Sequence, residues 1–131
     1  MIGLDTNVLA RYIMQDDAQQ SRLASELMAS LTPDAPGFVP LVSVVELFWV
    51  LSSCYQLDRT QWVTALDAIL RSKELVVENA EVVWQALRSF RDTAGDFADG
   101  LIERSASAAG CGQTMTFDKA ATKHGGMTLL Q

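Results

Sequence analysis

A chain of 131 residues with 49% apolar and 20% charged residues can bury a continuous core, which excludes global disorder. No apolar run approaches the ~20 residues of a membrane span, and no secretory leader pattern opens the chain. Sixteen acids against ten bases give a net charge of −6, which argues against binding nucleic acid by bulk attraction, and two cysteines, Cys54 and Cys111, suit neither a disulfide framework nor a zinc site.

The expectation is one soluble domain, residues 1–131, in a reducing, cytoplasmic compartment. Residues 1–4 form a short apolar strand. Asp5-Thr6-Asn7 opens a helix over 8–14, and residues 17–31 form a second, with Leu23, Leu27 and Leu31 at i, i+4 spacing. Thr32 to Gly37 is a Pro/Gly-rich loop. A β-branched strand over 38–42 runs into a helix over 44–55 that is apolar nearly all round, so it is central or at an interface. A helix over 58–72 and a strand over 75–77 follow.

Asn79 caps the next helix, whose stripe is Val82, Val83, Ala86, Leu87 and Phe90, and which Gly95 ends. Asp96 starts another, ended by Gly110. A strand over 114–117 closes at Asp118, a short helix spans 119–124, and a last strand spans 127–130. Strands separated by helices need crossover connections. The predicted class is α/β: three layers, a mostly parallel central sheet flanked by helices.

Ligands of such sheets bind beyond the carboxyl ends of the strands. Asp5 and Asp118 directly follow strands, Glu46 falls in the first turn of the helix after the second strand, and Asp96 and Asp99 open a helix after a loop. Right-handed crossovers would bring these acids to one sheet edge. Each also has a plain structural explanation. Ser43-Val44-Val45-Glu46 matches a capping box, Asp96 and Asp99 suit a helix start, and Asp5 or Asn7 and Asp118 can cap. Gathered in one crevice, however, unpaired carboxylates repel and cost stability unless a cation holds them. Setting the five aside leaves eleven acids against ten bases; if the five share one site the surplus is local, and a divalent ion would invert its sign toward a phosphate. Oxygen-only ligands select Mg²⁺ or Mn²⁺, the ions of metal-assisted phosphodiester hydrolysis. The single histidine, His124, is expected to be an ordinary last-turn residue.

Four segments in order carry a resemblance: Ile2-Gly3-Leu4-Asp5-Thr6-Asn7-Val8-Leu9, Val45-Glu46-Leu47, Asp96-Phe97-Ala98-Asp99-Gly100-Leu101-Ile102 and Thr116-Phe117-Asp118. Together they resemble the motifs of PIN-domain ribonucleases, most closely the VapC-like toxins of bacterial toxin–antitoxin pairs. The resemblance implies a Mg²⁺- or Mn²⁺-dependent endoribonuclease, a homodimer, and a small cognate antitoxin whose tail enters the acidic site. It implies that Asp5, Glu46 and Asp99 hold metal, that Asp118 holds metal or orients the attacking water, and that Asp96 is an additional acid of the site. Asn7 would position Asp5 or a water, and Thr116 would hydrogen-bond within the site. Glu103-Arg104 stand where the family often has Ala-Ala, leaving Arg104 to pair with a neighbouring acid or a phosphate.

Two other readings compete. A haloacid-dehalogenase-like phosphatase places a second Asp two residues after the first as general acid, but that position is Asn7. A PIN-like binding module without catalysis would be expected to have lost one or more of the acids. Arg11, Arg59, Arg71, Lys73, Arg88 and Arg91 either line an RNA path or form solvated helix faces. Trp62 and Trp84 are expected in the core and Trp49 is open between core and interface. Met14, Met28 and Met115 are expected as gap-fillers, and both cysteines as buried or incidental thiols.

Overall fold

All strand pairs are parallel in the computed structural model, which describes residues Met1 to Gln131. The chain divides into two compact units, Met1–Glu78 and Asn79–Gln131, each with its own sheet and helices. The α/β class is as predicted, with the five strands pairing as three and two. No helix is long and apolar enough to cross a membrane.

In the first unit β1 (Ile2–Gly3), β2 (Gly37–Val39) and β3 (Leu75–Val77) lie in that order, with Ile2 opposite Gly37 and Gly37 opposite Leu75. At Gly37 a larger residue would force two leucine side chains to move. A Cβ would stand 2.8 Å from Leu4 Cδ1 and 2.9 Å from Leu31 Cδ1, inside the closest approach carbon atoms tolerate. The helices are α1 (Thr6–Met14), α2 (Ala18–Ser30), α3 (Leu41–Trp49) and α4 (Arg59–Arg71). A π-helical turn, Val50–Cys54, continues α3, with Tyr55 N–H donating to Val50 O at 3.3 Å, and left-handed Gln56 (φ 57°) then turns the chain so that Leu57 N–H reaches Leu51 O at 2.9 Å. Leu9, Val39, Val44, Leu47, Leu51, Trp62 and Leu66 form the core, with Phe48 and Trp62 edge to face at 5.3 Å. Asp58 caps α4 in a full capping box with Gln61.

Two expectations change here, and the place of Trp49, left open, is decided. The strand over 38–42 stops at Val39, because Pro40 has no N–H for a ladder, and α3 begins at Leu41. Of the Leu23/Leu27/Leu31 stripe only Leu31 is buried; Ser21 and Ala24 are the buried positions of α2, and Leu23 is exposed. Trp49 is 53% exposed, touching Phe48 edge to face, so it lies outside the core.

The second unit holds α5 (Ala80–Asp92), α6 (Phe97–Ala108), β4 (Met115–Thr116), α7 (Lys119–His124) and β5 (Thr128–Leu129). Helices α5 and α6 pack together, joining Val83, Ala86, Leu87 and Phe90 to Phe97 and Leu101, with Phe90 and Phe97 perpendicular at 6.0 Å. Val82 of the predicted stripe is only half-buried. Asn79 does not cap through its side chain: it takes a left-handed conformation, φ 50°, before α5. That helix ends at Asp92, short of Gly95. Met115 is exposed rather than a gap-filler, and both cysteines are free and exposed.

Candidate functional site

Asp5 follows β1 directly. Leu4, buried, donates its N–H to Phe38 O at 2.9 Å, which fixes the chain as it leaves the sheet. Asp5 is then the N-cap of α1, one carboxylate oxygen accepting from Thr6 N–H at 2.8 Å. Thr6 is the residue that sequence reasoning missed. It is 4% exposed, and its hydroxyl donates to Glu46 Oε1 at 3.3 Å. One threonine therefore contacts both predicted acids of this unit, its N–H on Asp5 and its Oγ1 on Glu46. Its place between Asp5 and Asn7 was visible; the contact with Glu46, forty residues on, was not.

Glu46 is not part of a capping box. Helix α3 starts two residues before Ser43, so Glu46 lies in its second turn, beyond the orphan N–H groups. Ser43 is buried inside the helix and its hydroxyl donates to Leu4 O at 3.3 Å. The cap falls instead to Glu78, whose Oε1 accepts from Leu41 N–H at 2.8 Å. Glu46 thus has no helix-end role to explain it. Asn7 is exposed and lines a groove of about 330 Å³ with Val8, Arg11, Leu23 and Leu27; it makes no hydrogen bond with Asp5.

In the second unit Asp96 caps α6, accepting from Asp99 N–H at 2.9 Å. Asp118 caps α7, accepting from Ala120 N–H at 2.8 Å, and its own N–H donates to Thr116 Oγ1 at 3.0 Å. Thr116 therefore fixes the backbone of Asp118. Partial burial raises the Asp99 carboxyl above its ordinary value, and the negative charges of Asp96 and Asp118 push it further the same way. Asp99 thus lies within electrostatic reach of both other acids of its unit. Phe117, between Thr116 and Asp118, is 80% exposed.

The ion pairs Arg11–Asp16, Arg22–Glu26, Arg71–Asp67, Arg91–Asp92 and Arg104–Glu103 engage other acids than Asp5, Glu46, Asp96, Asp99 and Asp118. Arg104 pairs with its neighbour Glu103. The donor chemistry is all carboxylate and hydroxyl oxygen, which suits a hard divalent cation and not zinc. No three carboxylate, imidazole or thiol groups stand close enough together to form a ready-made metal cage. Mg²⁺ does not need one, since it keeps several waters and takes one or two carboxylates plus substrate phosphate.

No curated protein matches the chain. The family model for the PIN domain matches residues 2–126, taking in all five acids, the whole of the first sheet and β4 of the second. The chain belongs to the PIN-domain family, whose fold is generally that of metal-dependent nucleases.

Proposed function

We propose that this PIN domain, residues 1–131 acting as one domain, is a Mg²⁺- or Mn²⁺-dependent endoribonuclease and the toxin of a bacterial toxin–antitoxin pair, acting in the cytoplasm. The observation that carries the nuclease reading is the PIN-family match, which takes in all five acids; the Asp99 carboxyl, raised by burial and by the charges of Asp96 and Asp118, agrees with it. Carboxylates held this way stabilise a fold poorly and a cation well.

Asp5, Glu46, Asp99 and Asp118 are assigned as the acids of catalysis, and with Asp96 as those that would hold metal. A bound divalent ion supplies Lewis acidity to the phosphoryl group and lowers the pKa of the attacking water. Within the chain, Thr6 orients Glu46, Thr116 holds Asp118, and the two caps fix Asp5 and Asp96. The toxin reading rests on the resemblance of the four motifs. A homodimer is supported by α3, where Val42 and Trp49, seven residues apart on one helix face, are both exposed. The antitoxin would be a small protein with a tail reaching Asp5 and Asp118.

The alternative is a PIN-like binding module without catalysis. Purified protein decides between them. Single-stranded RNA should be cut with Mg²⁺ or Mn²⁺ and spared in EDTA, Mn²⁺ should raise the melting temperature of the metal-free protein, and Asp5→Asn, Glu46→Gln and Asp99→Asn should each abolish cutting while remaining folded. Undiminished cutting in excess chelator, or amide variants as active as wild type, would refute the metal mechanism. No cutting and no response to Mn²⁺ would establish the binding module.

A further inference from the structure

We propose that a polar cleft in the second unit is a subsite for a phosphate of the RNA flanking the one that is cut; the RNA part rests on the nuclease reading above. The cleft, about 370 Å³, is lined by Gln85, Arg88, Ser89, Arg104, His124 and the Gly125-Gly126 turn, with Glu103 at its side. Three elements build it. Gln85, Arg88 and Ser89 share one face of α5 at i, i+3 and i+4, Arg104 comes from α6, and His124 ends α7.

The groups in it are those that phosphates take: guanidinium, side-chain amide, hydroxyl and the backbone of Gly126, the Gly125 N–H being donated to Ala121 O at 2.9 Å. Glu103 holds Arg104 by two hydrogen bonds, 2.5 and 2.7 Å, and so fixes its direction. That acid offsets one of two guanidinium charges. Arg88 is exposed and takes part in none of the chain's ion pairs, so the cleft keeps a net positive charge in a chain of net −6. Gly126, at φ 70°, keeps the turn free of a side chain that would stand 3.9 Å from the Glu103 carboxyl carbon.

Its position gives the reason for a flanking phosphate. The six residues of α7 separate Asp118 from the cleft, which at 1.5 Å per residue is about 9 Å. A strand cut beside Asp118 would run past His124 within a very few nucleotides. A free phosphate would satisfy the same groups, and the test separates the two sources.

His124 is the single histidine and lines the cleft, so its imidazole NMR signals are a unique probe there, with Arg88→Ala as the control. Inorganic phosphate titrated into metal-free protein should move them in wild type and not in Arg88→Ala. With Mn²⁺ and single-stranded RNA, Arg88→Ala should raise KM about fivefold at 0.1 M salt and lower the salt slope of log KM by about 0.7, as loss of one phosphate contact on a single strand predicts. The effect falls on KM rather than kcat, and Arg88→Lys should recover most of it. Normal KM and slope in Arg88→Ala overturn the flanking-phosphate assignment while the nuclease reading stands; if phosphate still moves His124, the cleft takes free phosphate instead. No cutting by wild type, with His124 moved by phosphate through Arg88, refutes the nuclease reading and keeps an anion cleft. An acidic peptide bound in place of phosphate overturns the proposal.

Discussion

Thr6→Val removes one hydroxyl and almost no volume from a site that is 4% exposed. The bond lost is Thr6 Oγ1 to Glu46 Oε1, 3.3 Å. A hydrogen bond to a charged group contributes about 1.5–3 kcal/mol at good geometry, but this one is long, and exposed Glu46 regains water when released. The stability cost should therefore stay near ~1 kcal/mol or below, a few degrees in melting temperature. The functional cost is expected to be larger. Partners that orient metal ligands are worth about 10–100-fold in metal affinity or activity, or roughly 1.4–2.7 kcal/mol. The assay is paired: thermal melts of the metal-free protein, then Mn²⁺ affinity by calorimetry and RNA cutting at a temperature where both proteins are folded. Thr6→Ser restores the hydroxyl and should recover most of the loss. If Thr6→Val keeps wild-type Mn²⁺ affinity and rate, Thr6 is a packing residue and Glu46 is not held for chemistry.

Three further outcomes are expected. Asp99, raised by burial and by Asp96 and Asp118, binds its proton more tightly folded than unfolded, so its ionisation costs stability as pH rises from the ordinary Asp value through the raised one; Asp99→Asn should melt higher than metal-free wild type at pH 7, a gain that vanishes in acid. In the first unit the Tyr55 hydroxyl, with Arg11, holds the Asp16 carboxyl below its usual range. That contribution is present above the unfolded Asp value and lost as pH falls through the lowered one, so Tyr55→Phe should melt below wild type at pH 7 and converge with it in strong acid. Trp49→Glu should convert the proposed dimer to a folded monomer by light scattering, and a wild type that is already monomeric at micromolar concentration would dismiss α3 as the interface.

Legibility followed the range of the interactions. Strand β3 and helix α7 match their predicted bounds, because local propensity and caps decide them. The boundary between β2 and α3 was misplaced by a residue pattern, Ser43 to Glu46, that fits a cap perfectly well in isolation. The true cap donor, Leu41 N–H, is served by Glu78 from beyond β3, and no local rule contains that pair. Thr6 was overlooked for the same reason, since its distinguishing partner is Glu46. The exposure of Leu23 and the free charge of Arg88 likewise depend on what the fold leaves uncovered.

Capping and metal binding looked like competing explanations of the acids, and the geometry removes the competition for three of them. Asp5, Asp96 and Asp118 each cap a helix through one carboxylate oxygen, accepting from Thr6, Asp99 and Ala120. A carboxylate has two oxygens and about four acceptor directions. The cap bond consumes one direction, fixes the side-chain rotamer and leaves the second oxygen for a cation. If these acids hold metal as proposed, capping is a means of holding the ligand still, and an Asn in its place keeps the cap but presents an NH₂ where the second oxygen stood. Glu46 and Asp99 accept no cap bond. For Glu46 the orienting contact comes from Thr6, and Asp99 is held by the helix whose N-cap it bonds through its own backbone. An amide substitution at the capping positions therefore separates the two roles: a fold that melts normally with no Mn²⁺ response assigns the free oxygen to the metal, whereas a fold with an unchanged Mn²⁺ response assigns the whole carboxylate to the helix end.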